Sequence, residues 1–373
     1  MNTDRVAHLE SVRSLVVKLG TQLLSDKEGR LDATYVSDVA RQVANLRAQR
    51  KTVTIVSSGA IGAGLRELNL PKRPTDLAKL QAVAAVGQRR LMDVWADAFE
   101  PLGLPVAQIL LTREDVDDRT RFLNARNTIH AAHELGAVPI VNENDTVSTD
   151  ELVKISFGDN DILAGMVASA LRADLLILLS VVDGISDASG QPVRLVRRLS
   201  EAAGFVRPGE KTPLGKGGMN SKLEAARIVT GSGEAMIVAD GRVPDILPRL
   251  LAGEGLGTMF LPVASRKRGG RGRWIGSART AGTIVIDDGA ARALMERNRS
   301  LLPAGVVRVE GTFARGDVIG IVTSAGQIVA RGLTNYSASD LEQIRGRKTT
   351  DVRAMLKERA YDEVVHRDNL VLV

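Results

Sequence analysis

Cysteine is absent from the 373-residue chain, which removes disulfides, thiolate zinc sites and cysteine nucleophiles together. Histidine is scarce, with four in all. His130 and His133 fall i, i+3 on a helical pattern, but no third ligand at telling spacing accompanies them, so no protein-held metal is assigned. Aromatic residues make up 3%, leaving few platforms on which the bases of a nucleic acid would stack. No apolar run approaches the ~20 residues of a membrane-spanning helix. The longest, near Leu175 to Val182, is far shorter, and no signal-peptide core precedes Leu15. The expectation is a soluble cytoplasmic protein with no membrane partner.

What is present is ordinary globular material in quantity. Hydrophobic residues are 44% of the chain, and its length is that of roughly two or three domains. The net charge of +6 favours anionic partners, a class that includes nucleotides, acidic metabolites and nucleic acid alike. Apolar β-branched runs recur at Leu15 to Val17, Val53 to Val56, Val106 to Leu111, Ala137 to Val141, Leu175 to Leu179 and Met236 to Val238. Amphipathic helical stretches, Tyr35 to Arg50, Leu77 to Phe99 and Arg121 to Leu135, lie between them. This alternation predicts an α/β fold with a mostly parallel open sheet sandwiched by helices. The polar segment from Asp183 to Lys211 reads as an excursion from that sheet.

The stretch from Ala137 to Asp161 carries the first chemical signal. A buried-strand run breaks into Asn142-Glu143-Asn144-Asp145-Thr146, which belongs at the strand's carboxyl end, the edge where open α/β sheets bind ligands. A second cluster, Gly158-Asp159-Asn160-Asp161, directly precedes a helical pattern from Ile162 to Leu171. Alone, each is a helix cap or a loop. Together they favour a site for a ligand carrying an ammonium group, because carboxylates accept charge-assisted hydrogen bonds and amides both donate and accept.

Phosphate-handling signals come from three other places. Leu214 to Lys222 is glycine-rich and opens a helical pattern from Leu223 to Val229. Glycines admit a phosphate close to the backbone, and a helix start presents free N–H groups. Gly215-Lys216 is followed by Gly217, so this is no Walker A loop. The turn Ser57-Ser58-Gly59-Ala60-Ile61-Gly62 follows a strand and opens a helix, with spacing that does not fit a dinucleotide fingerprint. Either turn alone is equally a tight strand-to-helix connection. Lys18, at the end of the first strand, reaches the same edge; with Lys222 it would offset charge spreading over a transferring phosphoryl group.

Taken in order, Val16-Val17-Lys18-Leu19-Gly20-Thr21, Ser57-Ser58-Gly59-Ala60, Phe122 to Arg126, Asn142 to Asp145, Gly158 to Asp161 and Gly217 to Lys222 resemble the glutamate kinases of the amino-acid kinase family. The part from about Thr280 to Leu356 resembles the PUA domain appended to many bacterial members. The resemblance implies a kinase domain over 1–264 and a PUA-like domain over 280–373, and the Gly/Arg-rich stretch 265–279 between them reads by composition as a basic, flexible linker. It implies ATP and Mg2+ as cofactors and transfer of the γ-phosphoryl group to the side-chain carboxylate of L-glutamate, on the route to proline. Lys18, Lys222 and Asp161 would be catalytic, with Asp161 holding both lysines. Ser58, Gly59, Asp145, Asp159 and Asn160 would bind substrate. Lys18, Ser180, Val181, Lys216, Gly217, Gly218, Met219, Asn220, Ser221 and Lys222 would bind the nucleotide.

The implied partners are proline as feedback inhibitor, further copies in a dimer or tetramer, and a γ-glutamyl phosphate reductase. Two departures stand out. The family usually has Thr-Asp where this chain has Ser180-Val181, removing a carboxylate contact to the nucleotide, and Lys216 stands where Thr is common. Lys216 is expected to replace part of what Val181 lacks. The rival readings are a related kinase acting on N-acetylglutamate, aspartate or carbamate, and an RNA-binding regulator motivated by the arginines between Arg266 and Arg279.

Overall fold

A computed structural model describes residues 3–26, 28–147, 160–187, 189–202, 218–262, 270–297, 299–356 and 361–372. The chain divides into two compact units, Met1–Lys267 and Arg268–Val373.

The first unit is built on an eight-stranded sheet. Its strands are β1 (Ser14–Leu19), β2 (Thr52–Ser57), β3 (Val106–Leu111), β4 (Val138–Glu143), β5 (Leu175–Ser180), β8 (Leu195–Val196), β9 (Ala235–Asp240) and β10 (Thr258–Phe260), in the order β3-β4-β2-β1-β5-β9-β10-β8. The short pair β6 (Ile185–Ser186) and β7 (Pro192–Val193) forms a separate hairpin. From β3 to β9 every neighbour is parallel, and only β10 runs antiparallel to β9. Parallel strands joined by helices are covered on both faces, so β5 and β9 read as apolar runs up to their last residue, and β1, after its first residue, is broken only by Lys18.

Side chains alternate between the faces. Leu15, Val17 and Leu19 of β1 share one core with Val36, Val39 and Val43 of helix Ala33–Ala48 and with Leu91, Val94 and Trp95 of helix Leu77–Phe99. Lys18 therefore faces the other way, toward helix Asn160–Leu171, which packs against helix Met219–Ser232. These two helices meet at small residues: the backbone of Ala225 is about as close to Gly165 as a methyl group would allow, and Ser169 Oγ donates to Ser232 Oγ at 3.0 Å.

Three elements differ from the sequence reading. The strand read as ending at Val141 continues through Asn142 and Glu143, whose backbones pair with Leu110 and Leu111 of β3. Part of the presumed excursion returns to the main sheet as its edge, because β8 pairs with β10, a three-residue strand too short for any period to reveal. The stretch 265–279, read as a flexible linker, is helical over Gly270–Ser277. Ile275 and Ala278 are buried with Val318 and Val371, so tertiary packing overrides the low helix propensity of its glycines.

The second unit is a five-stranded mixed sheet, ordered β12 (Val306–Gly311), β11 (Gly282–Ile286), β13 (Val318–Thr323), β14 (Ile328–Leu333), β15 (Leu370–Leu372). Helices Asp288–Arg297, Ala338–Ile344 and Thr349–Leu356 close its core through Leu294, Leu341, Ile344 and Val352. No helix among the described residues is long and apolar enough to cross a membrane.

Candidate active site

The site lies on the carboxyl edge of the sheet, around the central strand β1. Lys18 comes from that strand and Lys222 from the first turn of helix Met219–Ser232. Both reach Asp161, in the first turn of helix Asn160–Leu171. Lys18 Nζ is 2.5 Å from Asp161 Oδ1, and Lys222 Nζ is 2.8 Å from Oδ2. All three are buried, with 6%, 7% and 1% of their surface exposed for Lys18, Lys222 and Asp161. Burial pushes the Asp161 carboxyl up, but Lys18 and then Lys222 outweigh it and hold the group at about 2. The cluster carries two cations on one anion and thus an excess positive charge under low dielectric. That suits a transferring phosphoryl group, whose negative charge spreads over three oxygens.

Local sequence explains the placement of Lys222. Ala225, Ala226 and Val229 follow it at i+3, i+4 and i+7 on the buried face of their helix, so Lys222 is the polar end of an apolar stripe. Gly218 precedes that helix and caps none of its N–H groups with a side chain. Ser221 Oγ donates to the Gly218 carbonyl at 2.8 Å and lies 3.5 Å from Asp161 Oδ2. Gly218, Met219 and Asn220 thus surround a helix start that presents donors to an anion. Lys216 and Gly217, with Asp159, lie outside the described residues.

Ser58 and Gly59 form the turn between β2 and helix Ala60–Glu67. Gly59 sits at φ 103°, where any side chain would be strained. Asn160 Nδ2 lies 2.9 Å from each of three acceptors: the Ser57 carbonyl, Ser58 Oγ and Asn142 Oδ1. Asp145 is half-buried in the turn after β4, whose Asn144 N–H is held by the Leu111 carbonyl. The structure thus brings Lys18, Lys222 and Asp161 into one cluster and Ser58, Asn142 and Asn160 into another, joined through the adjacent residues 160 and 161.

Ser180 ends β5 opposite Asp240 of β9, and Val181 follows it. The Ser180 carbonyl accepts from Gly241 N at 2.8 Å, and the Val181 carbonyl accepts from Arg242 Nη2 at 2.8 Å. Val181 packs against the main core, while Arg242 also grips Asp240 at 2.9 and 3.0 Å. His133, considered above as half of a metal pair, pairs instead with Thr54 Oγ1 at 2.9 Å. Burial, then Arg47 and His130, lower it to about 4, which keeps it neutral. Among the described residues, no group of three His, Cys, Asp or Glu is placed to hold a metal.

Two residues of the site escaped the sequence reading. Asn142 stands in its polar cluster with no role assigned by sequence, and Gln88 lies in a helix whose pattern reads as core. Gln88 is 8% exposed, and its Oε1 accepts from Asn142 Nδ2 at 2.8 Å. The available signal was a polar residue at i+4 from Ala84 and i−3 from Leu91, on the buried stripe of a long helix.

An open α/β sheet with paired lysines at its carboxyl edge defines a phosphotransferase architecture. Residues 13–240 match the model of the amino acid kinase family and residues 282–356 that of the PUA domain. The chain belongs to the amino acid kinase family. Its relatives there include the glutamate 5-kinases of Thermus thermophilus, 45% identical over 97% of this chain and 98% of that protein, and of Dehalococcoides mccartyi, 44% identical over 97% and 98%. The glutamate 5-kinase of Caldanaerobacter subterraneus subsp. tengcongensis is 42% identical over 96% of this chain and 97% of its own.

Proposed function

We infer that the protein transfers the γ-phosphoryl group of ATP to the side-chain carboxylate of L-glutamate, giving L-glutamyl 5-phosphate and ADP. The observation that carries this reading is the meeting of Lys18 and Lys222 on Asp161, residues far apart in the chain and buried at one sheet edge. Near-full-length relatives named glutamate 5-kinase support the choice of acceptor over N-acetylglutamate or aspartate.

The acceptor carboxylate is already ionised at neutral pH, so no general base is needed. What the chain supplies is alignment and charge. Ser58, the Gly59 turn, Asp145 and Asn160, with Asp159 nearby, hold the amino acid so that its side-chain carboxylate faces the γ-phosphorus. The nucleotide lies along Ser180, Val181 and the 216–222 segment, its phosphates over the helix start at Gly218. Lys18 and Lys222 straddle the group in flight, and Asp161 stops them from drifting apart. Magnesium carried by the nucleotide would supply further neutralisation of phosphate charge beside Lys18 and Lys222.

Trapping the acyl phosphate with hydroxylamine, in the presence of ATP, magnesium and glutamate, tests the reading. Hydroxamate is expected from the parent protein, with a rate loss of about 10²–10³-fold in Lys222→Ala, as for removal of one transition-state donor. A parent protein that forms hydroxamate from N-acetylglutamate but not from glutamate would overturn it. On the same reading L-proline acts as a feedback inhibitor competing with glutamate, which initial rates at several glutamate concentrations check.

A further inference from the structure

We propose that Gln88 is a substrate-binding residue: its side-chain NH2 donates to the α-carboxylate, the carboxylate of the amino-acid substrate that is not phosphorylated. The inference rests on the glutamate reading above and deepens it. Three observations carry it.

The first is orientation. The Glu143 backbone N–H donates to Asn142 Oδ1 at 2.9 Å, and a backbone N–H has no other role, so the Asn142 amide can face only one way. Its Nδ2 must then meet an acceptor, which fixes Gln88 with Oε1 toward Asn142 at 2.8 Å and Nε2 away from it. Gln88 Nε2 is fully buried and has no hydrogen-bond partner. A buried donor in that condition is costly unless something accepts from it.

The second is position. Val138 and Ile140 of β4 belong to the core under helix Leu77–Phe99, and Asn142, two residues on, shares their face. Gln88 therefore stands on that face, whereas Lys18 stands on the opposite one. Asn160 bridges the edge between them, bonded to Asn142 on one side and Ser58 on the other. A ligand with its reacting carboxylate at the lysines and its body over Ser58 and Asn160 extends its far end toward Gln88.

The third is how Gln88 arrives there. Helices Ala60–Glu67 and Leu77–Phe99 touch backbone to backbone: a Cβ on Gly87 would lie 1.8 Å from the Ala60 carbonyl oxygen, and one on Gly64 would lie 1.9 Å from that of Val83. Only glycine permits this approach, and it sets Gln88, the next residue, beside the turn that starts the shorter helix.

Gln88→Glu is the informative variant because it keeps the acceptor for Asn142 and replaces the donor by a carboxylate oxygen. Steady-state rates of ADP release are measured with L-glutamate and with its α-amide, both of which retain the side-chain carboxylate. Gln88→Glu is expected to lower kcat/KM for glutamate by about 10- to 100-fold, mainly through KM, while the α-amide loses far less because its NH2 can donate to the new oxygen. The KM for ATP stays unchanged. Equal losses for both substrates, or no loss for either, would overturn the assignment. If Gln88→Glu does not fold, Gln88→Met is compared instead, and its preference for glutamate over the α-amide is expected to fall about tenfold or more; an unchanged preference overturns it. A parent protein inactive on glutamate overturns the functional reading itself, and this inference with it, before any variant is compared.

Discussion

Replacing Asp161 by asparagine keeps the shape of the side chain and removes the charge that two buried lysines share. At an effective dielectric of about 20, contacts of 2.5 and 2.8 Å are each worth roughly 6 kcal/mol of attraction. Most of that is offset by taking three ions out of water, at several kcal/mol apiece. The lysines nevertheless win over burial and hold the Asp161 carboxyl below its ordinary value and in its ionised form at neutral pH. Asp161→Asn costs about 3–5 kcal/mol, because the lysines stay behind without their anion. A folded-state value depressed below the unfolded one means a contribution fully present above about pH 4 and lost as pH falls toward 2. Urea unfolding at pH 7, 5 and 3 is therefore expected to show a parent-to-variant gap of about 3–5 kcal/mol that begins to close only at the lowest pH. The hydroxamate rate should fall about 10²–10³-fold. A gap below about 1 kcal/mol, the worth of an exposed ion pair, combined with a rate within tenfold of the parent, would refute the claim that this carboxylate positions both cations.

Other expectations concern the surroundings of that cluster. Gly87→Ala should destabilise the protein by about 1–3 kcal/mol or more in urea, since its methyl group meets the Ala60 carbonyl oxygen. Val181→Asp, which installs the carboxylate that the family usually has, is expected to lower the KM for ATP, and Lys216→Ala to raise it; nucleotide-dependent initial rates check both. His133, held neutral by burial, should titrate near pH 4 by NMR. Because that lies below the unfolded value near 6.5, it takes stability away as pH falls from about 6.5 toward 4, a slope that His133→Gln removes.

The six parallel strands were legible because β-branched runs bounded by turn formers recur at helix-length intervals. Their ends were less so: Asn142 and Glu143 are polar, yet β3 supplies their backbone partners, and no sequence pattern records a partner strand. Lys18 and Lys222 could be paired from their places at a strand end and a helix start, but Asp161 joined them only through the ordered resemblance, since no period links residues 18, 161 and 222. Gln88 was hidden by its context, a polar residue on an apolar stripe whose meaning depends on what β4 places opposite it. The Arg/Gly-rich stretch at 265–279 reads as linker by composition. Ile275, buried with Val318 and Val371, anchors a helix that local propensity disfavours.

The glycine crossing at Gly64 and Gly87 has a mechanical corollary. With backbone against backbone at both glycines, little is left between the two helices to absorb a tilt, and a rotation of one is expected to carry the other with it. Ser58–Gly59 at the head of one helix and Gln88 on the other are then expected to shift as a single jaw, and if they hold the substrate as proposed, adapting the site to a longer or shorter acid calls for moving the jaw as a whole rather than trimming its teeth.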